Sequence, residues 1–151
     1  AAPLTAGSVI TNTATVTGAG LAAPLTASAE ITVQTGAELS VVKSLFPATV
    51  AQNGQLTYTF TIQNAGNEEA GAEAGVTISD LFDPLLKNLS ASLNGQPLSL
   101  GTDYSYDAVS GQFSTTAGRI TVPAATYAQT ASTGDWTVTP GEAVLTVTGT
   151  V

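Results

Sequence analysis

"SVITNTATVTGAGLAAPLTASAEITV", residues 8–33, contains two alternating runs separated by a stretch rich in Gly, Ala and Pro. In the first, Ile10, Asn12, Ala14 and Val16 share one face; in the second, Ile31 and Val33 do. A period of two marks strands with one face to bury. Strands over 8–17 and 28–34 flank "TGAGLAAP", which either closes a hairpin or carries the chain between two sheets. A two-stranded unit is marginal in water, so this one must lay its apolar face on something else. What covers it decides the architecture.

The same alternation continues through the 151 residues, with no helical stripe longer than a turn or two. Further strands are expected at 38–44, 55–63, 75–80, 89–93, 103–107, 111–115, 119–122, 135–139 and 142–150. Short strands at this spacing indicate a β-sandwich. "QNGQ" (52–55), "LNGQ" (93–96) and "VSGQ" (109–112) supply residues that tolerate positive φ where the chain reverses. "LFDPLLKN" (81–88) is expected to wind a short helical turn with Pro84 setting φ. The motif "AAPLTA" occurs twice, at 1–6 and 22–27.

Composition narrows the function. Charged residues make up 9% of the chain, against roughly 25% in an average soluble domain. The net charge is −8, and the three basic residues, Lys43, Lys87 and Arg119, are scattered. No basic stripe offers itself to nucleic acid or an anionic membrane, so neither is an expected partner. The chain has no Cys, which excludes a disulfide framework, and no His, which removes the commonest general base. Neither a nucleophile elbow nor a phosphate loop is present, so turnover catalysis is not expected and no cofactor is called for. The opening "AAPLTAGSV" lacks a basic n-region and an apolar h-region, the expectation for a chain that is mature or exported by another route.

The stretch "AELSVVKSLFPATVAQNGQLTYTFTIQNAGNEEAGAEAGVTISDLFDP" (37–84) resembles the bacterial surface repeat called domain of unknown function eleven, and "PGEAVLTVTGTV" (140–151) resembles that family's late Pro-Gly-Glu strand. The resemblance implies an Ig-like sandwich on an exported protein. In the family, a segment of the form Ile-Thr-Asn-Thr-Ala-x-Val and a last strand follow the late strand; here that segment stands in front, at 10–33. The expected domain order is therefore a donor extension (1–34), a short linker (35–38) and a sandwich lacking its final strands (39–151).

The donor strands, represented by Ile10, Ala14, Val16, Ile31 and Val33, either fold back into their own sandwich or complete a neighbour's. The joint "QTGAE" (34–38) reaches at most about 17 Å, whereas the sandwich is roughly 35–40 Å long. That favours the neighbour, and a contact that does not close on itself makes filaments. The expectation is a homopolymeric fibre subunit on a bacterial cell or spore surface. The alternatives are a segment of a longer tandem protein, or a monomeric adhesive or spacer module with a host or surface ligand.

Parity adds a chemical expectation. Lys43 shares a face with Leu39 and Val41, and Asp80 with Val76 and Ile78, as Asn12 does with Ile10. Lone buried charges are costly, but three such groups would satisfy one another. The trio is similar to that of collagen-adhesin-type Ig-like domains. That resemblance implies Lys43 as nucleophile, Asn12 as electrophile and Asp80 as acid in a single-turnover isopeptide reaction, within a pocket lined by aromatics such as Tyr58 or Phe60. The plainer alternative has Lys43 snorkelling from a strand end to pair with Asp80, and Asn12 capping a turn.

Three weaker signals complete the reading. Asp103 and Asp107 are expected to be solvated rather than a glycosidase pair, and Glu68, Glu69 and Glu73 to form a solvated loop rather than a calcium site. Trp136, Tyr127, Tyr104 and Tyr106 would make a sugar-stacking platform if exposed, but Trp136 alternates with Val138 and core packing is the expectation.

Overall fold

A computed structural model describes residues 7–151, so the first copy of "AAPLTA" lies outside the described residues. The protein is all-β, with every ladder between strands antiparallel. The chain runs β1 (Val9–Val16), β2 (Leu25–Thr32), β3 (Leu39–Phe46), β4 (Gln55–Asn64), β5 (Ser79–Leu81), β6 (Lys87–Leu93), β7 (Gln96–Pro97), β8 (Tyr104–Tyr106), β9 (Gln112–Thr115), β10 (Thr126–Gln129), β11 (Trp136–Thr139) and β12 (Gly141–Thr150). A five-stranded sheet, β3-β4-β12-β6-β7, faces a three-stranded sheet, β5-β9-β8. Two hairpins, β1-β2 and β10-β11, form separate two-stranded sheets.

Strands β4 and β12 form the spine. Leu56, Tyr58, Phe60, Ile62 and Asn64 are buried at every second position of β4, and Ala143, Leu145 and Val147 do the same on β12. Their register sets Val147 against Tyr58, Leu145 against Phe60 and Ala143 against Ile62, so the two apolar rows form one surface. Across the core, Phe82 stacks on Tyr58 with centroids 4.7 Å apart, and Phe113 packs on Phe82 and Tyr104 at 5.6 and 5.5 Å. Turns fall where Asn and Gly indicated: Asn94 and Gly95 take φ of 49° and 78° between β6 and β7, and Gly111 takes 81° between β8 and β9.

Four local expectations are corrected. Residues 81–88 wind no helical turn, because Phe82 and Leu86 both enter the core and their backbone groups are taken elsewhere. Phe82 N donates to Gly111 O, and the Tyr106 hydroxyl both accepts from Leu86 N and donates to Leu86 O. The strand expected over 75–80 shrinks to Ser79–Leu81, since Ile78 N donates to the Thr115 hydroxyl instead of to a ladder. Residues 119–122 form no strand; Ile120 and Val122 are buried, and Val122 makes one isolated bridge to Ala70. β10 was not anticipated, and its partner β11 carries Trp136 on a hairpin rather than in the core, leaving it 36% exposed.

Replacing Phe113, which is fully enclosed, by Ala should cost about 3–5 kcal/mol by cavity formation, read as a lowered denaturant midpoint with unchanged slope.

Candidate functional site

One side of the sandwich is open. β3 is an edge strand, and its register with β4 (Leu39 opposite Asn64, Val41 opposite Ile62, Lys43 opposite Phe60, Leu45 opposite Tyr58) turns these four residues toward the core. Yet Leu39 is 41%, Val41 55% and Leu45 48% exposed, while their partners on β4 are buried. Among the described residues the opposing sheet stops at β5, also an edge, and no further strand continues it over this part of β3. The result is an apolar slot between two unpaired strand edges.

Lys43 and Asp80 meet in that slot. The Lys43 ammonium pairs with Asp80 Oδ2, which is buried and has no hydrogen-bonding partner apart from this ion pair, while Asp80 Oδ1 accepts from Leu81 N at 3.0 Å. Lys43 Nζ sits 4.8 Å from the ring centre of Tyr58 and 5.7 Å from those of Phe60 and Phe82. Tyr58 and Phe60 line the site as their positions suggested. Phe82 was missed, because the segment it occupies read as a helical turn. Lys43 lies in the middle of β3 rather than at its end, and its side chain is 43% exposed against 19% for Asp80.

Asn12 is not in the slot. It lies mid-strand on β1, in a hairpin all of whose strand residues are exposed. The register pairs Ile10 with Ile31, Asn12 with Ala29, Ala14 with Ala27 and Val16 with Leu25. These eight residues form one face whose sole polar member is Asn12. The other face is polar apart from Val9, with Thr11, Thr13 and Thr15 opposite Glu30, Ser28 and Thr26. Val33 lies one residue beyond β2 and extends the pairing, its N–H donating to Ser8 O at 2.8 Å. The apolar face therefore exists as expected, but the single chain leaves it uncovered and apart from Lys43 and Asp80.

The joint between hairpin and sandwich is held by two asparagines that sequence reasoning passed over. Asn64 is fully buried; its Oδ1 accepts from Glu38 N and Gly66 N, both at 2.9 Å, and its Nδ2 donates to Glu68 O at 2.7 Å and Pro123 O at 3.0 Å. Asn67 Nδ2 donates to Gln34 O at 2.7 Å, and its Oδ1 accepts from Gly36 N at 3.2 Å. A Cβ on Gly66 would come within 2.2 Å of Gly36 O, so the loop presses directly on the joint. The linker of residues 35–38, together with Gln34, forms an anchored elbow.

The weaker signals separate clearly. Asp103 is buried rather than solvated: it pairs with Arg119 Nε at 2.9 Å and accepts from Ser99 N. Asp107 is fully exposed and caps its own turn, the Ser110 hydroxyl and then Val109 N holding its carboxyl below the usual range. Tyr104 is buried and Tyr106 bonds Leu86, so of the four aromatics only Tyr127 and Trp136 remain at the surface. No family model matches the chain, and neither curated proteins nor solved structures yield a match.

Asp80 Oδ2 is buried and Lys43 is its one partner among the described residues, so removing the ammonium strands a carboxylate oxygen. Lys43→Met should lower unfolding free energy by about 1–3 kcal/mol in urea titrations at neutral pH, and less at a pH low enough to protonate the stranded carboxylate.

Proposed function

We propose that the protein is a structural subunit of an extracellular filament on a bacterial cell or spore surface, polymerising head to tail by donation of the β1-β2 hairpin to the slot of a neighbouring copy. The observation that carries this reading is the match between two uncovered surfaces. Among the described residues, the hairpin has an apolar face that covers nothing and the sandwich an apolar slot that nothing covers. Adding β1 along the free edge of β5, with β2 outside it, gives the smaller sheet five strands against the five of its partner. Ile10, Val16, Leu25 and Ile31 then face Leu39, Val41 and Leu45, each large side chain contributing about 1.5–3 kcal/mol on full burial before association costs. Such a contact also removes two exposed edges.

In this arrangement Asn12, the one polar residue of the donor face, enters beside the Lys43–Asp80 ion pair. The reaction would join subunits. Once the donor strand covers the slot, the Lys43 ammonium passes a proton to Asp80 Oδ2, and the resulting amine attacks Asn12 Cγ while the Asp80 carboxylic acid hydrogen-bonds Asn12 Oδ1. The new Cγ–Nζ bond replaces Cγ–Nδ2, and a proton from the amine leaves with Nδ2 as ammonia. A chain with no Cys would thereby gain a covalent link between copies.

The test is electron microscopy of the full chain before and after boiling in detergent, with intact mass. Filaments should form and persist, with one ammonia lost per link. Asn12→Ala should still polymerise but dissolve on boiling, and Ile31→Asp should remain monomeric. Filaments that dissolve, at unchanged mass, would leave the donor contact standing and eliminate the cross-link. Monomers alone would overturn the polymer in favour of a spacer or adhesive module.

A further inference from the structure

The β10-β11 hairpin repeats the predicament of the donor hairpin. Its register pairs Tyr127 with Val138 and Gln129 with Trp136, so these four side chains share one face, and Thr126, Ala128, Thr137 and Thr139 take the other. Tyr127, Trp136 and Val138 are all exposed. A two-stranded sheet presenting Trp and Tyr to water is marginal by itself, and these are the residue types that dominate protein–protein contacts.

Its root is fixed beside the elbow. Ala125 N donates to Gly66 O at 2.9 Å, and Gly141, opposite Asn64, has no room for a side chain because a Cβ there would fall 1.8 Å from Pro123 O. Tyr127 lines a shallow cavity together with Gln34, Gly36, Glu38, Gly66 and Asn67. The aromatic face therefore stands at the pole from which the donor hairpin leaves.

We infer that the Tyr127–Trp136–Val138 face is a second contact between subunits, seated on the same neighbour that receives the donor hairpin. The inference rests on the filament reading above. Its occupant follows from chain length: residues 34–38 span at most about 17 Å even when extended, and here they are folded onto Asn64 and Asn67. A neighbouring sandwich that encloses β2 must therefore begin next to this pole, which makes the second copy the occupant of the aromatic face.

Trp136 is the only tryptophan, so its fluorescence reports the contact directly. In the full chain, pelleted polymer should show blue-shifted emission and reduced acrylamide quenching relative to monomer. In an Asn12→Ala background, where assembly is reversible, Trp136→Ala should raise the critical concentration roughly tenfold, the effect of about 1.4 kcal/mol. Polymer that pellets with Trp136 still red and quenchable would overturn the second contact while leaving the donor contact intact. An emission shift produced only by added chitotriose would overturn it in favour of glycan stacking. Absence of any polymer would defeat the filament reading and this inference with it.

Discussion

Four residues on the inner face of β3 look across a gap, and the rest of the molecule is organised around that gap. Leu39, Val41 and Leu45 face the core side of an edge strand with no described strand above them, and Lys43 reaches across to Asp80. A sandwich is stable because two apolar sheet faces cover each other. Here one sheet has five strands and the other three, and the uncovered area falls at β3. The core centred on β4, β12, Phe82 and Phe113 is complete enough to hold the fold, and the incompleteness is confined to one side.

The hairpin poses the reverse problem. It has a face for burial and no core, and the elbow keeps it away from its own slot. Asn64 satisfies the backbone of the joint from below while fully buried, and Asn67 holds it from the side. Buried amides with all their partners rigidify more than they stabilise, because each lost bond would strand a buried N–H or C=O. Preorganisation of this kind lowers the ordering cost of a later association. On the proposed assembly, the same rigidity fixes the direction in which one subunit presents its strands to the next.

The polar trio illustrates how far parity reasoning extends. Alternation placed Asn12, Lys43 and Asp80 each among apolar neighbours, and the structure puts Lys43 and Asp80 in contact, among the rings of Tyr58, Phe60 and Phe82. Asn12 remains on the apolar face of the hairpin, in the position a donor strand would carry into the slot. In the isolated chain the Lys43 side chain is partly exposed, while the Asp80 oxygen it pairs with is buried.

Local pattern determined much of this protein. Period-two alternation marked most of the strands and their apolar faces, Asn-Gly and Ser-Gly pairs marked the reversals, and the lack of any long helical stripe marked the class. Such features are legible because they depend on neighbours one or two residues away. The tertiary structure decided what depends on distant partners. Phe82 and Leu86 abandon a helical turn because the core and the Tyr106 hydroxyl claim them. Trp136 stands outside because no strand covers β11, although its alternation with Val138 is the same pattern that buries residues on β12. Asn64, the last residue of β4, and Asn67, in the loop after it, acquire their roles because the chain returns to them from residues 34 to 38. Alternation tells which face of a strand is apolar; only the packing of the whole chain decides whether that face meets a partner.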